Sequence, residues 1–211
     1  MDTDELIKAL VSNLQPVTPL SAVWRRAAAL AIVATAAIFF GTLGLRSDIA
    51  AAAETLRFLF KLAVAVTLAA SAFGLVRVIS RPGEPWWKAA FYLAVSPALL
   101  AVAVVVEISV LPLEMWSASM IGMNSLICVI SILLLGIVPL AILLVALRHG
   151  ASTRPAAAGA AAGLLAGGIA ATFFALQCTN DSPLFVATWY TLAIAGLAAI
   201  GAVCAKAMVR W

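Results

Sequence analysis

The stretch LICVISILLLGIVPLAILLVAL, residues 126–147, decides the fold class. None of its residues is charged. As a helix it would run about 33 Å, enough to cross the roughly 30 Å hydrocarbon core of a bilayer. It ends a longer charge-free run that begins at Met115 and closes at Arg148. Five similar runs surround it: Ala27–Leu45, Phe58–Val76 (broken only by Lys61), Ala89–Val106, Ala156–Leu176 and Val186–Val203. All are continuous rather than alternating, which excludes the strands of a membrane barrel. The expectation is an all-α, polytopic membrane protein. It has a six-transmembrane-helix bundle over residues 27–205, a leader over 1–26 and a short tail over 206–211.

Composition agrees. The chain is 65% hydrophobic and 10% charged, with a mean hydropathy of +1.14, whereas soluble domains are about a quarter charged. A net charge of +4 is too small and too scattered for direct nucleic-acid binding. Its distribution is informative. Lys8, Arg25, Arg26, Arg77, Arg81, Lys88, Arg148, Arg154, Lys206 and Arg210 fall on one side of the six-span map; Arg46, Arg57 and Lys61 fall on the other. Lysine and arginine favour the cytoplasmic side, so both termini are expected there. The opposite face collects Asp48, Glu54, Glu107, Glu114 and Asp181. A cleavable secretory signal is not expected, because the polar leader and the first apolar run are both too long.

Gly159, Gly163 and Gly167 recur every four residues in RPAAAGAAAGLLAGG, residues 154–168. Such a stripe lets a second helix approach closely, either within the chain or at a seam between two copies. Lys61 and Glu107 are the charges nearest to hydrocarbon. Both lie near outer helix ends, so snorkelling to the interface is expected, with a Lys61–Glu107 pair as the alternative. No GxSxG, HExxH or P-loop occurs. The single histidine, His149, reads as a solvated loop residue, so no enzyme and no resident cofactor is expected.

Three cysteines are present: Cys128, Cys178 and Cys204. The map places Cys128 at the outer start of the fourth span, Cys178 at the outer end of the fifth, and Cys204 at the inner end of the sixth. Three readings of the outer two stand. They pair under oxidising conditions, they bind a soft metal transiently as thiolates with Asp181, or they are small buried hydrophobes.

The leader TDELIKALVSNLQPV, the second span FLFKLAVAVTLAASA, the RPG loop and above all LRHGASTRPAAAGAAAGLLAGGIAATFFALQCTNDSPLFVATWY together resemble the NrsF-type negative regulators of sigma F. The resemblance covers essentially the whole chain and is most specific from Arg148 to Tyr190. It implies a multi-pass anti-sigma factor of the bacterial inner membrane. Such a protein holds an extracytoplasmic-function sigma factor and releases it under stress. It also implies that Cys128 and Cys178 correspond to a cysteine pair that senses oxidants or heavy metals.

With that resemblance the leader acquires a role. Ile7, Leu10, Val11 and Leu14 stand at i, i+3, i+4 and i+7, the apolar stripe of a short helix. Thr3 is placed to cap it and Pro16 to end it. About eleven residues make a marginal isolated helix. Docking in a groove of the sigma factor is the expected use, and an interfacial helix on lipid is the alternative. A small transporter or a scaffold subunit without a sensing role is the competing function. A transporter would show repeats with broken helices near the midplane, and none is legible.

Overall fold

The computed structural model of the chain describes residues 3–5, 12, 19–81, 83–122, 125–150 and 152–208. Residues 3–5 and 12 are helical. The stripe Ile7, Leu10, Val11 and Leu14 lies outside the described residues. Six helices are long and apolar enough to cross a membrane: Leu20–Thr42, Leu56–Ile79, Trp86–Val110, Leu113–Leu147, Pro155–Ala175 and Pro183–Met208. No strand occurs among the described residues. The chain is a multi-pass helical membrane protein.

Local chemistry sets the ends of these helices. The first span stops at Thr42. There the amides of Leu43 and Gly44 both bond to the Phe39 carbonyl, and Gly44 turns left-handed at φ 71. Residues 43–45 therefore lie past the helix. Thr55 caps the second span by accepting from the Phe58 amide at 3.4 Å. The third span is built of two pieces, Trp86–Leu93 and Val95–Val110, because Pro97 has no N–H for the carbonyl of Leu93. A short helix, Leu113–Ile121, precedes the fourth span, Ser125–Leu147, which runs through Pro139 without a break. Pro155 opens the fifth span at a position where its missing N–H costs nothing. The sixth span starts as Pro183–Phe185, widens into a π-helical turn over Val186–Tyr190, and continues as Thr191–Met208.

The fifth span is the axis of the bundle, packing on the sixth, second and fourth spans and also on the first. Its glycines make this possible. A Cβ at Gly159 would collide with the Gly201 carbonyl, and one at Gly163 would fall 2.6 Å from the Ala198 Cα. On another face, a Cβ at Gly168 would lie 2.9 Å from the Ala69 amide nitrogen. Backbone thus meets backbone, which maximises dispersion where hydrophobic drive is absent. The third span is held differently, by the Ser96 hydroxyl donating to the Val64 carbonyl of the second span at 3.0 Å.

Candidate functional site

The site is built where the fifth helix ends. Past Ala175 the amides of Leu176, Gln177 and Cys178 still bond back to Phe173 and Phe174, so Cys178 sits directly on the helix terminus. A helix C-terminus leaves carbonyls without partners and attracts cations. Two cations supply both needs. The Arg46 amide donates to the Leu176 carbonyl at 3.2 Å and its guanidinium to the Cys178 carbonyl at 3.4 Å. The Lys61 ammonium donates to the Cys178 carbonyl at 2.8 Å and to the Asn180 carbonyl at 3.3 Å. Asp181 then binds both cations, Lys61 with Oδ1 and Arg46 with Oδ2 at 3.0 Å. Arg46 also grips Asp48 through two bonds of 2.7 Å, which hold that exposed carboxylate below its usual titration range. The Phe58 ring lies 5.9 Å from the Arg46 guanidinium and 5.6 Å from the Lys61 ammonium.

This arrangement corrects two sequence expectations. Lys61 does not snorkel; it is 2% exposed, because three acceptors of the 178–181 loop already surround its ammonium. Nor does it pair with Glu107. That carboxylate, also buried, accepts from the Ser182 hydroxyl at 3.0 Å and lies 3.7 Å from Arg57. The clamp also removes Asp181 from any metal set shared with the cysteines, since both of its oxygens are engaged by cations. Among the described residues no group of three His, Cys, Asp or Glu side chains is placed to hold a metal ion.

The loop so held brings Cys178 beside Cys128. Cys128 lies in the first turn of the fourth span, 1% exposed, and Cys178 in the clamped loop, 9% exposed. Both are free thiols, close enough for each to perturb the other. The Cys178 thiol also lies 3.8 Å from the Asn180 carbonyl. The neighbouring Cys128 thiol, followed by the Lys61 ammonium, holds the Cys178 thiol below its ordinary range against the opposing effect of burial. The Tyr190 hydroxyl is buried beside this pair and meets no ordinary hydrogen-bond partner. It projects from the π-helical turn, a distortion common at functional positions. Cys204 is half-buried on the sixth span, well along the chain from the loop.

The glycine stripe faces inward. Gly159 and Gly163 abut Gly201, Leu197 and Ala198 of the sixth span, and Gly167 faces Ile194. Sequence reasoning missed the clamp, although one signal was present: Lys61 is a lone charge inside an apolar run. Five acids share its side of the map, and spacing alone does not choose among them. Tyr190 gave no signal beyond its interfacial position.

Comparison with known proteins places this geometry in context. The family described as "Negative regulator of sigma F" matches residues 10–211. Two curated relatives are each 33% identical over the whole of both chains. One is the probable anti-sigma-F factor NrsF of Azospira oryzae, the other the anti-sigma-F factor NrsF of Caulobacter vibrioides. No solved structure matches the chain.

Proposed function

Because the chain belongs to the family of negative regulators of sigma F, we propose that it is an anti-sigma factor of the bacterial inner membrane. It holds an extracytoplasmic-function sigma factor on the cytoplasmic side, where both termini lie, and releases it when Cys128 and Cys178 react. The observation that carries the sensing part is the mutual influence of these two buried thiols, one where the fourth span starts and one where the fifth ends. An oxidant would take two electrons and two protons from the pair and leave a disulfide. That bond requires Cα atoms within about 7 Å. A soft heavy-metal ion is the second trigger, bridged by two thiolates alone, since Asp181 is occupied.

Either event pins the start of the fourth span to the loop that closes the fifth. The fifth span touches most of the bundle and meets the sixth through bare backbone. Displacement of its outer end is therefore passed along a rigid rod rather than absorbed by side chains. A bias of a few kcal/mol between two arrangements changes release strongly. On the cytoplasmic side the leader stripe Ile7, Leu10, Val11 and Leu14 docks in the sigma factor as an amphipathic helix.

Serine at Cys128 or Cys178 should abolish oxidant- or metal-induced sigma release while repression in unstressed cells persists. Variants that still respond normally would return both cysteines to packing roles. Aspartate at Leu10 and Leu14 should free the sigma factor in a pull-down with membrane insertion intact. Topology reporters should read cytoplasmic after Arg154 and periplasmic after Asn180.

A further inference from the structure

Between the third span and the fifth the bundle is not closed. A cavity of about 400 Å³ runs there, walled by Leu75 of the second span and by Ala161 and Leu164 of the fifth. Leu164 also lines a further cavity of about 240 Å³, whose walls include Lys61 and Tyr190. The mouth of the first cavity is of opposite character. Arg81, Glu84 and Arg154 ring it, together with Trp86. The Arg154 guanidinium stacks 5.0 Å from the Trp86 ring and has no carboxylate partner among the described residues. Arg81 shares its charge with Glu84 at 2.9 Å. The mouth is therefore net cationic and the walls are apolar.

Water gains no hydrogen bonds along such walls, and an empty gap forfeits the dispersion contacts of its lining. The surrounding medium supplies acyl chains. We propose that this furrow binds an anionic phospholipid, with its phosphate between Arg81 and Arg154 and one acyl chain laid against Leu75, Ala161 and Leu164. Arginine forks match phosphate geometry, and basic pockets between membrane helices at headgroup level take anionic headgroups. Tryptophan beside them marks the same depth. The furrow's length also fits: from Arg154 to Leu164 the helix rises about 15 Å, half of a hydrocarbon core and so one leaflet. The lipid fills the gap beside the third span that side chains leave open.

The test uses the purified full-length protein in neutral detergent. Phosphatidylglycerol should raise the melting temperature by about 5 °C and stay bound in native mass spectra. Phosphatidylcholine with the same chains should do neither, and inorganic phosphate should have no effect. The double variant Arg81→Gln, Arg154→Gln should melt as the parent does without lipid but lose the selective rise. Ala157→Phe, at an exposed position on the furrow wall, should lose it by obstruction with both arginines intact. Equal effects of the two lipids, a rise from phosphate alone, or selectivity that survives in either variant would overturn the site. So would a double variant that keeps lipid selectivity but no longer captures the sigma factor, since the arginines would then serve the protein partner.

Discussion

The fifth and third spans make opposite use of similar greasiness. The third, Trp86–Val110, has a mean hydropathy of 2.3, yet 6% of its most apolar stretch is buried inside the bundle. The fifth, Pro155–Ala175, is less hydrophobic at 1.7 and 72% buried. In water this order would be perverse. In lipid it follows from the solvent: acyl chains are as apolar as Leu or Val, so burying those side chains against protein gains little. What draws a helix to the centre is the closeness of approach that Gly and Ala permit. What leaves one at the edge is a coat of branched side chains equally content with lipid.

The sharpest way to break this contrast is to add bulk to the fifth span. Gly163→Val would drive methyl groups into the backbone of Leu197 and Ala198, which no rotamer change relieves. We expect a loss of about 3 kcal/mol or more, read by unfolding in mixed detergent micelles. The next effect falls where the fifth span ends. Lys61→Met removes the cation that binds two loop carbonyls and Asp181. Breaking a buried pair outright costs about 3–5 kcal/mol; Asp181 retains Arg46, so a loss of about 2 kcal/mol is expected. The same variant removes an influence that favours the Cys178 thiolate. The pH profile of Cys178 alkylation should therefore shift toward higher pH, with less reaction at neutral pH, while Lys61→Arg keeps the parent profile.

On the third span the expected effects are small. Ser96→Ala deletes its bond to the Val64 carbonyl, and interhelical hydrogen bonds in membranes contribute about 0.6 kcal/mol on average. Val105→Leu, at a position 66% exposed to the bilayer, should stay within about 0.5 kcal/mol by the same unfolding measurement. A large effect at Val105 would mean that this face is covered, and the comparison of the two spans would have to be redrawn.

Much of the architecture was legible before any coordinates. Charge-free runs located six helices, with edges displaced where local chemistry intervenes, as when Gly44 ends the first span before Leu45. The four-residue glycine period marked the face along which the fifth span packs. The candidate site was legible in part. Topology placed Cys128 and Cys178 at similar depth, but nothing in their spacing brings one thiol against the other. Lys61 was singled out correctly as costly and assigned the wrong environment, because a snorkelling lysine and a buried, triply bonded one look alike in a hydropathy profile.

The sequence by itself determined that the chain crosses a membrane as helices, and how many helices are long enough to do so. Those outcomes are local: in hydrocarbon each backbone N–H must be satisfied within its own segment, and the apolar length of that segment is written residue by residue. Only the tertiary structure decided which acid answers Lys61, which face of each helix meets protein and which meets lipid, and where a cationic mouth opens onto an apolar furrow. Lipid offers no polarity gradient to sort one apolar face from another. The choice falls to shape and to single polar contacts between segments far apart in the chain, as between Lys61 and Asp181.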